Sequence, residues 1–212
     1  MVLYGIMLLP LAEILRETYP EVLLPWYADN AAMQGPPDQV AACFKLLCEI
    51  GPMFGYFPEP EKSYAICPLA SEEDVKATFL AEGLAVKTCR SHRYVGGYVG
   101  WLAMCNRWIE PKVEQWVADI GVLAKIASKY PQSAYHGFVT SLQAKWQYLC
   151  CTIPGVGAHM GPLEDAIRKV MIPAMLQLKP GEVSDDLRTL LFHGVKQGGI
   201  NFRNPVEGAD AQ

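Results

Sequence analysis

The stretch of sequence that decides the fold is Val22-Leu23-Leu24-Pro25-Trp26-Tyr27-Ala28-Asp29-Asn30-Ala31-Ala32-Met33. Two short apolar runs, residues 22–26 and 31–33, flank a tetrapeptide that ends in Asp29 and Asn30. Aspartate and asparagine tolerate the left-handed backbone of a tight turn, so this pattern is typical of a β-hairpin. The stretch therefore predicts strand, turn and strand, with a carboxylate at the tip. Taken alone, an aspartate in such a turn often does no more than form it.

The rest of the first half alternates between helical and extended patterns. Ser71 begins a capping sequence, and glycine or proline residues interrupt the apolar periodicity between elements. The predicted helices cover residues 1–18, 38–50 and 71–82. The predicted strands beyond the first hairpin cover residues 63–67, 84–87 and 94–99, and we expect the last two to form a second hairpin.

The first helix is unusual because residues 1–12 contain no charged side chain. A signal-peptide core has a similar length, but this run lacks a basic flank and a small-residue cleavage site. We therefore predict a helix that packs on all sides, either by self-association or against a missing N-terminal half. No segment reaches the roughly 18 to 20 apolar residues that a membrane span requires, so we expect no membrane partner.

The second half reads as a helical bundle. Apolar faces at helical spacing predict three helices, over residues 111–130, 135–150 and 162–178, the last with a kink at Pro173. The predicted organisation is a first domain over residues 1–105, the bundle over residues 106–180 and a C-terminal tail over residues 181–212. The fold class expected from these elements is α+β.

Composition indicates a globular chain with no global attraction to nucleic acid. Of the 212 residues, 51% are apolar, and the net charge of -4 gives no overall basic field. Basic residues are concentrated in the middle of the chain, between Lys62 and Lys145, where any surface that grips a nucleic-acid strand should lie. The seven cysteines contain no Cys-x-x-Cys pair, which favours a reducing, intracellular compartment over a disulfide framework.

Tyr27-Ala28-Asp29-Asn30 resembles the Tyr-x-Asp-Asp box of reverse transcriptases, with asparagine in place of the second aspartate. Four later segments resemble, in the same order, regions that follow this box in reverse transcriptases of non-LTR retrotransposons. These segments are residues 54–63, which contain Lys62; residues 93–97, which contain Arg93, Gly96 and Gly97; residues 172–176; and residues 194–205. The resemblance implies a partial polymerase palm with antiparallel hairpins, followed by a three-helix thumb-like bundle.

The same resemblance implies roles for individual residues. Asp29, with Asn30 beside it, would hold Mg²⁺, and Lys62 would assist the departure of pyrophosphate. Tyr27, Arg93, Gly96 and Gly97 would lie against nucleic acid. The implied partners are an RNA template and a DNA primer, and the implied activity is RNA-directed DNA polymerase.

Two departures from the family pattern bear on activity. Asn30 brings no charge, and the sequence has no aspartate before Asp29, so the upstream metal-binding strand of the family is missing from it. Magnesium prefers hard anionic oxygen ligands, and one carboxylate alone binds it poorly. We therefore expect no polymerisation from this chain alone. The alternative is a non-catalytic scaffold derived from a retroelement, which binds RNA or another protein.

Overall fold

The computed structural model describes residues 2–27, 30–179 and 181–210 of the chain. The chain divides into two compact units, Met1–Val95 and Gly96–Gln212. Within the described residues, helices are combined with strands of only two to four residues. This mixture confirms the predicted α+β class.

The first unit is built around one central helix. Its elements are α1 (Val2–Thr18), β1 (Trp26–Tyr27), β2 (Asn30–Ala31), α2 (Pro37–Ile50), β3 (Tyr64–Ile66), α3 (Glu72–Ala81), β4 (Lys87–Cys89) and β5 (Ser91–Tyr94). Helix α2 takes part in two apolar clusters. Cys43 and Leu47 pack with α1, whereas Ala41 packs with Val75 and Phe79 of α3. The predicted helices α1, α2 and α3 are thus confirmed, and together they form the framework that carries the short strands.

Helix α1 buries only one of its sides. Leu8, Leu11 and Leu15 follow helical spacing and are at most 4% exposed, where they pack in the cluster that includes α2. Ile6 and Met7 lie off this stripe and are 55% and 65% exposed. The described residues cover a single stripe of this helix, so the expectation that a second copy or a missing half covers its other side stays a prediction.

The strands confirm the first predicted hairpin. β1 and β2 are antiparallel, with Trp26 opposite Ala31 and Tyr27 opposite Asn30. The pairing extends to Leu23 and Gln34, which exchange backbone hydrogen bonds of 2.8 and 2.9 Å. Residues 23–27 and residues 30–34 therefore run antiparallel to each other.

The second predicted hairpin is not formed by residues 84–87 and 94–99. β4 pairs in parallel with β3 instead, with Tyr64 opposite Lys87 and Ile66 opposite Cys89. Parallel strands require a crossover connection, and α3 supplies it between these two strands. Residues 94–99 contribute to β5 and to β6 (Gly97–Gly100), and the boundary between the two units falls between these strands, at Val95 and Gly96.

The second unit is a helical bundle that includes the end of the chain. Besides β6, its elements are α4 (Leu102–Ala127), α5 (Pro131–Gly137), α6 (Gln143–Thr152), α7 (Gly161–Ala166), α8 (Ile172–Leu176), α9 (Asp185–Phe192) and α10 (Pro205–Asp210). π-helical turns at Phe138–Leu142 and Ile167–Met171 join α5 to α6 and α7 to α8. The three predicted helices are thus present as α4, α5 with α6, and α7 with α8.

Two prolines are accommodated inside these helices. Pro111 was expected to begin the first helix of the bundle, but α4 begins at Leu102 and contains Pro111 in its interior. Pro173 is the second residue of α8, which begins directly after the π-helical turn Ile167–Met171. A proline has no backbone N–H to donate, and a wider turn is one way in which a helix adjusts to that loss.

The segment expected as a C-terminal tail belongs to the bundle core. Phe202 is completely buried, and its ring lies 4.4 Å from the ring of Phe138, centroid to centroid. The buried Gln143 side chain donates to the Asn201 carbonyl at 3.0 Å and accepts from the Arg203 N–H at 3.0 Å. These contacts hold residues 201–203 against the bundle as a strand partner would.

A buried ion pair holds the same segment from another direction. Arg188 on α9 donates from Nε and Nη2 to the two carboxylate oxygens of Glu164, each at 2.6 Å. Its Nη1 donates to the Phe202 carbonyl at 2.7 Å. Gly199 lies where a Cβ atom would overlap the carbonyl oxygens of His193 and Leu190, so only glycine fits there.

Candidate functional site

The predicted catalytic hairpin presents Tyr27 and Asn30 at facing positions. β1 ends at Tyr27 and β2 begins at Asn30, and both side chains are exposed. Trp26 anchors the hairpin through an edge-to-face contact with Tyr56, at 5.1 Å between ring centroids. Asp29, the predicted metal ligand, lies with Ala28 outside the described residues. The described part of the site is therefore a short anchored hairpin whose Tyr27 side chain points to solvent.

Lys62 lies in a 3₁₀ turn, Pro60–Lys62, just before β3. Its Nζ atom is 2.6 Å from an Oε atom of Glu59, and both side chains are well exposed. The Ser63 hydroxyl also donates to the Glu59 carbonyl, at 2.9 Å, which closes the turn. An exposed pair of this kind is worth about 0 to 1 kcal/mol, so Lys62 can exchange Glu59 for another anion at low cost.

The residues expected to touch the primer fall into different units. Arg93 is an exposed residue of β5 in the first unit, whereas Gly96 and Gly97 begin the second. Gly96 has a φ of +81°, and a Cβ atom there would lie 3.3 Å from the Tyr148 ring. The nearby Tyr148 ring and the positive φ therefore explain on structural grounds why glycine is present at position 96. The sequence pattern did not reveal this explanation.

The described residues contain no group of three or more histidine, cysteine, aspartate or glutamate side chains placed to hold a metal ion. Asp29 and its surroundings are outside that search. Within the same residues, no helix is both long enough and apolar enough to cross a membrane.

A cluster that sequence reasoning missed lies on β3, β4 and β5. The Tyr64 ring stacks on the His92 ring, with centroids 3.8 Å apart and planes 15° apart. The Lys87 ammonium lies 5.3 Å from the centroid of the same Tyr64 ring. We call these three residues the Lys87–Tyr64–His92 row. The sequence carries no local signal for this cluster, because Tyr64 and Lys87 become neighbours only through the parallel pairing of β3 with β4.

Comparisons of the chain with protein-family models, with curated proteins and with solved structures found no match.

Proposed function

We propose that this chain is a reverse-transcriptase-like domain of the non-LTR retrotransposon type, RNA-directed DNA polymerase by resemblance, and inactive by itself. The observation that carries the proposal is the antiparallel pairing of Tyr27 with Asn30. It supports the proposal because the Tyr-Ala-Asp-Asn segment then connects two paired strands, as the family's catalytic box does. The assignment of residues 1–105 as a partial palm and of residues 106–180 as a thumb-like bundle belongs to this proposal.

In the proposed site, Asp29 would hold Mg²⁺, and Lys62, after releasing Glu59, would neutralise a leaving pyrophosphate. The resemblance assigns a primer contact to Arg93 in the first unit and, separately, to the backbone at Gly96 and Gly97 in the second. Mg²⁺ bound there would stabilise the charge that develops on the transferred phosphoryl group. The chain contributes one carboxylate at the hairpin, because Asn30 is neutral, so we expect weak metal binding and no extension of a primer.

The first test measures metal binding at the hairpin with Mn²⁺, whose paramagnetism broadens the NMR signals of nearby residues. Asn30→Asp should tighten Mn²⁺ binding by roughly ten-fold or more, because two unit charges about 4 Å apart interact by about 1 kcal/mol in water and the cation carries two charges. Gln34→Asp is the matched control, since Gln34 is an exposed residue of the same hairpin, away from the turn. Equal tightening by both substitutions would contradict the proposed metal site.

The second test is primer extension on a primed RNA template with Mg²⁺. We expect no extension by the natural chain. Any extension gained in Asn30→Asp should disappear when Asp29→Ala is added. Extension that survives Asp29→Ala would remove Asp29 from the mechanism and with it the proposed kinship.

The alternative function is a non-catalytic scaffold that binds RNA or another protein. The exposed apolar side of α1 favours it, because Ile6, Met7 and Leu9 are each more than half exposed. Under this alternative, Mn²⁺ would leave the signals of the hairpin unchanged in both the natural chain and Asn30→Asp.

A further inference from the structure

An open apolar groove lies beside helix α4 in the second unit. Val122, Leu123 and Ile126 line it from α4, and Leu142 lines it from the π-helical turn Phe138–Leu142. Val122 is 60% exposed and Ile126 is 43% exposed, although both side chains are large and apolar. These two residues lie on adjacent turns of one face of the helix, so they form a continuous apolar ridge at the edge of the groove. An exposed apolar patch of this kind is a candidate surface for contact with another protein.

Opposite charges lie at the two ends of this ridge. At one end, the Asp119 carboxylate accepts a hydrogen bond of 2.9 Å from Gln115 and lies 3.7 Å from the Nζ atom of Lys145. At the other end, Lys129 lies in the turn after α4, where its backbone N–H donates to the Ile126 carbonyl at 3.0 Å. Lys129 is exposed, and no carboxylate in the described part of the chain lies within 4.0 Å of its Nζ atom. The ridge therefore has an acidic end and a basic end.

The order of these side chains is self-complementary. We call Asp119, Val122, Ile126 and Lys129 the α4 stripe. Successive members are three, four and three positions apart, so the stripe is symmetric about Ala124. In an antiparallel pair of α4 helices, Asp119 of each copy therefore lies opposite Lys129 of the other copy. By the same spacing, Val122 of each copy lies opposite Ile126 of the other. A two-fold dimer requires such a surface, because every contact occurs twice in it.

We propose that this protein forms a two-fold dimer in which the α4 stripes of two copies pack antiparallel. The apolar side chains interdigitate at the centre, and the opposite charges at the ends fix the register. Asp119 can accept a lysine of the second copy while it keeps Lys145, because a carboxylate has several lone pairs. Nucleic acid is a poorer occupant, since the Asp119 carboxylate would repel its phosphates.

The proposed surface consists of one helix and its groove, so we expect a weak, transient dimer. It is a different surface from the exposed side of α1. The inference goes beyond the proposed function and does not depend on it.

Sedimentation velocity at protein concentrations from about 1 μM to about 1 mM measures the dimer. Lys129→Glu should weaken association by at least about ten-fold, because two attractive contacts in the dimer become repulsive. Asp119→Lys should weaken it to a similar extent for the same reason. Lys196→Glu is the matched control, because Lys196 is an exposed lysine of another surface turn and lies within 4.0 Å of no described carboxylate. We expect this control to associate like the natural chain.

A mixture of the Lys129→Glu and Asp119→Lys variants tests the two-fold arrangement directly. In a mixed pair, every acid of the stripe again lies opposite a base, so the mixture should recover the association of the natural chain. Each variant alone should stay largely monomeric. Circular dichroism of each variant checks that it still folds.

Val122→Ser tests the apolar centre of the interface. It should weaken association by at least about ten-fold, because both copies lose a buried apolar side chain. Val195→Ser is the matched control, since Val195 is 67% exposed and lies in a surface turn, Val195–Gln197. This control should leave association unchanged.

Four results would overturn the inference. The first is a natural chain that stays monomeric over the whole concentration range, and the second is an equal effect of Lys129→Glu and Lys196→Glu. The third is a mixture that associates no better than its two components. The fourth is loss of association in Met7→Lys together with normal association in the α4 variants, which would assign the contact to the exposed side of α1. None of these measurements uses metal or RNA, so their failure is separate from failure of the tests of the hairpin.

Discussion

Replacing Arg188 with methionine should lower the free energy of unfolding of the second unit by more than the loss of an exposed ion pair does. The Arg188 side chain is 7% exposed and that of Glu164 is 16% exposed. Arg188→Met keeps much of the side-chain volume but leaves the Glu164 carboxylate and the Phe202 carbonyl without their donor. Removing one partner of a buried pair typically costs about 3–5 kcal/mol, because the remaining charge stays buried without compensation.

The double variant Arg188→Met with Glu164→Leu separates the charge effect from the rest. It leaves no buried charge, so the loss of stability should fall to about 1–3 kcal/mol. That remaining loss comes from the Phe202 carbonyl, which has lost its donor. The double variant should therefore be more stable than Arg188→Met alone. Lys169→Met is the control, because Lys169 pairs with Asp165 on the surface, where both side chains are more than 60% exposed. That pair should contribute about 1 kcal/mol or less.

Urea unfolding followed by tryptophan fluorescence measures these differences. Four of the five tryptophans belong to the second unit, and Trp116 and Trp146 are buried in its core. The unfolding midpoint of Arg188→Met should lie well below that of Lys169→Met. Equal midpoints for these two variants would refute the reasoning, since they would show that the buried geometry of Arg188 confers no more stability than a surface contact.

Two further predictions concern the packing of α1 and the buried thiols. Leu11→Ala should lower the free energy of unfolding by about 2–5 kcal/mol, because Leu11 is fully buried. Leu9→Ala should change it by less than about 0.5 kcal/mol, because Leu9 is 52% exposed. Similar unfolding midpoints in urea for the two variants would contradict this orientation of α1. Burial raises the pKa of the Cys43 and Cys150 thiols from the ordinary 9.0 to about 11. As the pH rises, the thiols lose their protons at lower pH in the unfolded chain than in the folded one, so the free energy of unfolding should fall between pH 9 and 11. The fall should be less steep when Cys43 and Cys150 are both replaced by alanine. Identical slopes of stability against pH would show that these thiols do not contribute.

Local signals in the sequence were sufficient for the framework of the first unit. Ser71 caps α3 by accepting a hydrogen bond from the Asp74 N–H, and such a cap can be recognised from a few neighbouring residues. The helix before Tyr19-Pro20 and the hairpin at Asn30 also depend on residues adjacent in sequence. These elements could be predicted because each carries its own signal for where it begins or ends.

Pairing over long distances could not be predicted in the same way. β3 and β4 have three residues each, too few to show a period, and their parallel partnership depends on the path of α3. The Lys87–Tyr64–His92 row was missed for that reason, since its residues meet only once those strands are adjacent. The sequence pattern predicts a polar tail around Phe202 because the partners of this segment, Gln143 and Arg188, are remote in sequence. The segment also contributes backbone atoms to these hydrogen bonds, and backbone atoms leave no signal in the sequence.

The clasp between Gln143 and residues 201–203 has a consequence for synthesis of the protein. Gln143 and Asn201 are 58 positions apart, so the helix that carries Gln143 leaves the ribosome long before its partner has been translated. Until Phe202 has been translated, the rings of Tyr135 and Phe138 lack the ring that they contact in the folded protein. The core of this bundle therefore becomes complete only after residues 201–203 have been synthesised.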